Sequence, residues 1–156
     1  MRKVLGAILL AGFAFAMPVQ AQSYGAPITL DQARKVTAAA EAEMRKNNWA
    51  MSIAIVDSGG HLVHLQRADG SQFAGAKIAE DKAFSAAAYK RPGKMFQDRL
   101  ATGGVETRIL QLRGVSALDG GDPIVVDGKI IGGIGVSGGS GEQDGQVSKA
   151  GAGALK

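Results

Sequence analysis

The chain contains no cysteine among its 156 residues, only two histidines, one tryptophan, two tyrosines and four prolines. Without cysteine there are no disulfides, no thiolate metal or iron–sulfur sites, no cysteine nucleophile and no covalent c-type haem attachment through a Cys-x-x-Cys-His run. Aromatics make up 5% of residues, too few for the stacking platforms that nucleic-acid binders pair with basic clusters. Basic side chains exceed acidic ones by 18 to 14, but Arg2 and Lys3 open an apolar leader, and without them the excess falls to 16 against 14. The remaining lysines and arginines are scattered rather than clustered, so a nucleic-acid partner is not expected.

The leader itself reads as a secretory signal peptide. Two positive residues precede the apolar stretch Val4–Met17, and Val19-Gln20-Ala21 offers small side chains at the positions signal peptidase reads. The stretch is shorter than the roughly 20 residues a spanning helix needs, so cleavage after Ala21 is expected rather than a membrane anchor. Residues 22–156 then form a single domain, exported to a periplasm or secreted, with no membrane span after cleavage.

What remains alternates helical and strand-like segments. Thr29 with Gln32 forms a capping box opening a helix over Leu30–Lys46, whose apolar positions Leu30, Ala33, Val36, Ala40 and Met44 recur at helical spacing. Trp49–Val56 and Leu62–Arg67 read as a hairpin around Asp57-Ser58-Gly59-Gly60. An alanine-rich helix over Ala74–Lys90 stops before Pro92, and a shorter one covers Lys94–Ala101. Val105–Arg113 fits helix or strand. Pro123–Val126 and Lys129–Val136 flank Asp127-Gly128, the signature of a type I′ hairpin, and Glu142–Leu155 closes the chain as a helix. One antiparallel sheet flanked by helices is the economical α+β arrangement.

Few constellations carry chemistry. Gly133-Ile134-Gly135-Val136-Ser137-Gly138 spells G-x-G-x-x-G but lies within a strand, with no following parallel strand, so it is not a dinucleotide fingerprint. Its glycines instead mark where a helix or a ligand plane presses on the strand. Gly138–Gly141 precedes the last helix and could offer backbone N–H groups to an anion. His61 and His64 lie three apart and point to opposite faces of a regular strand, which rules out shared chelation unless a bulge or the turn intervenes. Either could be a single axial ligand to haem iron. Serines 58, 137 and 140 have turn contexts rather than a nucleophile elbow. Asp57, Asp69, Asp119, Asp122 and Asp127 sit beside Gly or Ser as turn formers. No catalytic set emerges, so a non-catalytic protein is expected.

Several blocks together resemble the HbpS-like, or GlcG, family of haem-binding proteins. They are Ile55-Val56-Asp57-Ser58-Gly59-Gly60-His61-Leu62-Val63, Arg67-Ala68-Asp69-Gly70, Lys82-Ala83 with Ala86 and Ala87, Gly120-Gly121-Asp122-Pro123-Ile124, Asp127–Gly132, and Gly135–Gly139 ahead of Gln143-Asp144. The same domain resembles the C-terminal half of PduO-type cobalamin adenosyltransferases. The resemblance implies a profilin-like fold, a five-stranded antiparallel sheet with helices on its faces, assembled as a homo-oligomer. It implies non-covalent haem as cofactor, and a role as carrier or as haem- or redox-sensing accessory with a sensor protein partner. His61 holds the family's post-turn position and is the leading iron ligand, with His64 second and Tyr89 and Lys82 as rivals. Arg67 or Arg91 would meet the propionates, and Phe84, Ile134 and Val136 would form walls. Two other readings stand beside it: a binder of small organic acids in glycolate-type metabolism, using Arg67 and the Gly138–Gly141 N–H groups, and an oligomeric docking module.

Overall fold

The computed structural model describes residues 22–155, so the leader lies outside the described residues. The chain runs β1 (Ser23–Tyr24), α1 (Leu30–Lys46), β2 (Ser52–Asp57), β3 (Leu62–Arg67), α2 (Gly75–Tyr89), α3 (Gly93–Ala101), a 3-10 helix (Gly104–Gln111), β4 (Gly121–Val126), β5 (Lys129–Ser137) and α4 (Gly141–Ala152). The segment open to either reading is therefore helical, in 3-10 form. No helix of the described residues is long and apolar enough to cross a membrane.

The fold is α+β, but the sheet is mixed rather than wholly antiparallel. β2–β3, β2–β5 and β4–β5 pair antiparallel, whereas Ser23 and Tyr24 lie parallel to Lys129 and Ile130. The parallel contact continues as Gly25 and Ile28 donate N–H groups to Ile130 and Ile131 carbonyls, 2.9 Å each. A two-residue strand has no periodicity to read, which is why the sequence does not announce it. The β4–β5 turn has Asp127 at φ 49° and Gly128 at φ 72°, both positive as a type I′ turn requires.

Helices cover the two faces differently. On one, α1 and α4 bury Val36, Ala40, Met44 and Val147 against Ile53, Ile55, Ile124, Ile134 and Val136. On the other, α2 lays Ala79, Ala83 and Ala87 on Ala54 and Val56. Here the β5 glycines decide the geometry: a Cβ on Gly135 would overlap the Ala79 carbonyl oxygen and lie 2.5 Å from the Ala83 nitrogen. The glycine-rich strand is thus a bed for α2, with backbone against backbone. Because α2 centres on β5 and β2, the same face of edge strand β3 is left open, and Leu62, Leu65 and Phe73 are exposed there.

Candidate functional site: a cavity beyond the end of α2

Pro92 forces α2 to end, and Lys90 turns the chain through a left-handed conformation, φ 56°. α3 then folds back with the 3-10 helix against it. Between these elements lies a cavity of about 440 Å³ lined by Tyr89, Arg91, Phe96, Arg99, Arg108, Ile109 and Leu112. The Tyr89 and Phe96 rings meet edge to face, with centroids 5.5 Å apart. The Tyr89 hydroxyl donates to the Arg113 carbonyl at 2.7 Å. Arg91 donates through Nε to the Tyr89 carbonyl at 3.0 Å and stands 5.5 Å over the Phe96 ring. Glu106 holds Arg99 at 2.7 Å and Arg108 at 3.7 Å, while no carboxylate of the described residues pairs with Arg91. One carboxylate against three guanidinium groups leaves an apolar slot with a positive rim. Such a slot suits a flat apolar molecule bearing acidic groups.

The other expected site residues do not gather here. His61 lies just before β3 with an 84% exposed side chain, its Nδ1 3.4 Å from Asp57 Oδ1, and its ring lies close against Gly59. The Gly59 and His61 N–H groups donate to Asp57 Oδ1 at 2.8 and 2.9 Å. Burial is the largest single influence and pulls the Asp57 carboxyl up, but these two donors together with the His61 imidazole hold the group below its ordinary value. His64 pairs with Ile55, and the register then slips so that Leu62 meets Val56. The bulge that could have reconciled the two histidines therefore exists. Yet no group of three or more metal-ligating His, Asp or Glu side chains forms among the described residues. Arg67 stacks 5.5 Å over the exposed Phe73 ring and lines a separate groove beside Trp49.

Lys82 lies apart again, buried beneath the Gly-rich loop. Its Nζ donates to Asp144 Oδ2 at 2.7 Å and to the Val136 carbonyl at 2.9 Å. Burial pushes the Asp144 carboxyl up, with Lys82 and the Gly139 N–H acting in the opposite sense. Two of the loop N–H groups expected to meet an anion are engaged within the loop and helix. Gly139 N–H is already given to Asp144 Oδ1 and Ser140 N–H to Gln143 Oε1, both at 2.9 Å. Ile134 and Val136 are fully buried under α1 and α4 and form no ligand wall. Phe84 instead fills the space above Gly60 and Gly114, where any Cβ would strike its ring. The residues whose roles the sequence did not reveal are Arg99, Arg108 and Asp144. The first two become meaningful only when the 3-10 helix folds onto α3, and the last only through its pairing with Lys82.

Fold and cavity define a small α+β domain, with a helix-covered mixed sheet and an apolar pocket rimmed by arginine. The chain belongs to the HbpS-like family, whose model, described as "Haem degrading protein HbpS-like", matches residues 28–153. It is 41% identical to the protein GlcG of Escherichia coli K12 over 110 residues, 70% of this chain and 81% of GlcG. A doubly substituted form of HbpS from Streptomyces reticuli superposes with a TM-score of 0.75 at 30% identity, covering 97% of this chain and 99% of that one. A structure described as a PduOC:heme complex gives the same TM-score at 25% identity, covering 83% of this chain and 96% of that one.

Proposed function

We propose that this chain is an exported, non-catalytic haem-binding protein, a carrier or a haem- or redox-sensing accessory, and that haem sits in the cavity beyond α2. The carrying observation is the coincidence, in one slot, of aromatic and aliphatic walls with three guanidinium groups and only one carboxylate. Phe96, Ile109 and Leu112 would bury the porphyrin, and Arg91, Arg99 and Arg108 would meet the propionates. Tyr89, a side chain type that haem iron accepts, is the ligand within reach of the slot. When bound, haem would supply an iron centre able to change oxidation state. His61 and His64 are ligands only if haem lies instead on the turn and edge-strand side, where Arg67 would be the nearest of the expected cations. The family name and the haem complex of a structural neighbour support haem as the ligand, and the leader at residues 1–21 supports export.

Haem titration of the protein from Gln22, followed by absorption spectroscopy, tests the reading. A saturable, stoichiometric Soret band altered by Tyr89→Phe and weakened by Arg91→Ala is the expected result. Sensitivity to His61→Ala with indifference to Tyr89→Phe would move the site to the turn, and absorbance that never saturates would sink haem as the ligand. The open face of β3, with Leu62, Leu65 and the 88% exposed Phe73, supports self-association as a homo-oligomer. Sedimentation velocity would then show an oligomer that Leu65→Glu breaks up. A sensor protein as a further partner belongs to the same proposal.

A further inference from the structure

A second, smaller pocket lies between α2, α3 and the start of α4, about 310 Å³ in volume, and its chemistry is opposite to that of the haem slot. Ile78 and Leu118 give it apolar walls, while Lys82, Gln97, Asp119 and Asp144 supply polar groups, with Gly139 and Gly141 at its border. Lys82 and Asp144 neutralise one another at 2.7 Å. Asp119 is different. It is only 6% exposed, its Oδ1 accepts the N–H of Gly120 at 2.8 Å, and its Oδ2 has no hydrogen-bond or ion-pair partner among the described residues. Lys94, the lysine at the start of α3, is committed to both oxygens of Asp98 at 2.7 and 2.8 Å. The carboxylate rests against Gly145, where a Cβ would come within 2.5 Å of Oδ1, so α4 is shaped to admit it.

A nearly buried carboxylate with a free oxygen facing a cavity calls for a cation or a strong donor. Two of the loop N–H groups that would have drawn an anion, those of Gly139 and Ser140, are already taken by Asp144 and Gln143, and Asp119 would repel one. Gln97 spends its Oε1 on the Asp119 N–H at 2.8 Å, which fixes Asp119 at the pocket wall. The small volume and the Ile78 and Leu118 walls limit the ligand to a short aliphatic chain. We propose that this pocket binds a short-chain primary ammonium compound, with the ammonium group on Asp119 and the alkyl chain between Ile78 and Leu118. The site is independent of haem.

Calorimetric titration of the protein from Gln22 with n-propylammonium chloride and with sodium propionate, at matched ionic strength, sets opposite charges on chains of the same length. Saturable binding of the ammonium compound and none of propionate is expected. Asp119→Asn should weaken it at least tenfold while the haem spectrum stays unchanged. Gly141→Leu keeps every charge in place: Gly141 is not in the left-handed region, and its Cβ position lies 3.6 Å from Gln97 Oε1 and 3.7 Å from Asp119 Cβ. A leucine there should obstruct the pocket and weaken binding similarly if Asp119→Asn fails to fold. Propionate binding as well as propylammonium, undiminished affinity in the folded variants, or no saturation with either compound would overturn the proposal.

Discussion

The contact between α2 and β5 invites the sharpest test of the fold, because it depends on the absence of one carbon atom. Gly135 faces the α2 backbone with no side chain between, and an added Cβ would overlap the Ala79 carbonyl and crowd the Ala83 nitrogen at 2.5 Å. Neither atom is the free end of a side chain, so relief requires the helix to lift from the sheet. Lifting it would open space along Ala54, Val56, Ala79, Ala83 and Ala87, which are all fully buried. Overpacking typically costs about 1–3 kcal/mol and occasionally more, and a clash with fixed backbone belongs at the upper end, a large share of the ~5–15 kcal/mol that holds a domain folded. Gly70 is the control: its φ of 78° makes alanine strained, but nothing lies within 4 Å of the new methyl group, so the cost is only the left-handed penalty of about 1–2 kcal/mol. In urea, with a slope of about 1–3 kcal/mol per molar, Gly135→Ala should lower the midpoint by at least ~1 M, and Gly70→Ala by clearly less. Equal midpoints for the two variants would refute the backbone-to-backbone packing of α2 on β5.

Lys82→Met leaves the Asp144 carboxylate buried without its cation and should cost about 3–5 kcal/mol, whereas adding Asp144→Leu should recover much of it. A double-mutant cycle by urea denaturation, with Asp144→Leu alone as its fourth corner, reads the coupling, and a loss in the double variant equal to the sum of the two single losses would mean that the pair is not coupled. For Asp57 the folded-state value lies below the ordinary 3.8, so its contribution is present above that pH and lost as pH falls through the lower folded value. Asp57→Asn should therefore flatten the acid limb of the stability profile. Asp122 runs the other way. Burial raises its value despite the Ser148 hydroxyl bond, so its contribution is present below 3.8 and lost as pH rises through the raised folded value. Asp122→Asn should remove that decline, and pH-resolved denaturation checks both signs.

The parts of this fold that the sequence announces are those whose signal is local. Thr29 and Gln32 form the capping box in both directions, Asp127-Gly128 makes its turn, and Pro92 ends α2 on schedule. The β5 glycines were legible as a surface that something presses on, and that something is α2. Ser140 with Gln143 is a second capping box, readable by the same rule though hidden inside a glycine-rich run. The parallel pairing of Ser23 and Tyr24 was not legible, because two residues carry no pattern. The bulge in β3 escapes for a related reason: a slip at Val63 leaves no mark on composition, yet it decides where both histidines point.

The candidate site shows more plainly why local reading falls short. Tyr89 and Arg91 were visible as candidates, and the chain turn at Lys90 and Pro92 keeps them together. Their companions Arg99 and Arg108 arrive from α3 and the 3-10 helix, and only tertiary packing makes the three guanidinium groups one rim. Asp119 reverses the lesson. In sequence it is one more aspartate beside glycine, indistinguishable from Asp69 or Asp127, which form ordinary exposed turns. Its burial comes from Gly145 leaving room on α4 and from Gln97 taking its N–H, two contacts from distant segments. The basic slot takes Phe96 and Arg99 from α3 and the acidic pocket takes Gln97, and neither charge balance can be read from the near-neutral total for residues 22–156. Ligand preference in this domain is therefore a property of which few charges the helices leave unpaired, and the paired variants at Arg91 and Asp119 test it directly.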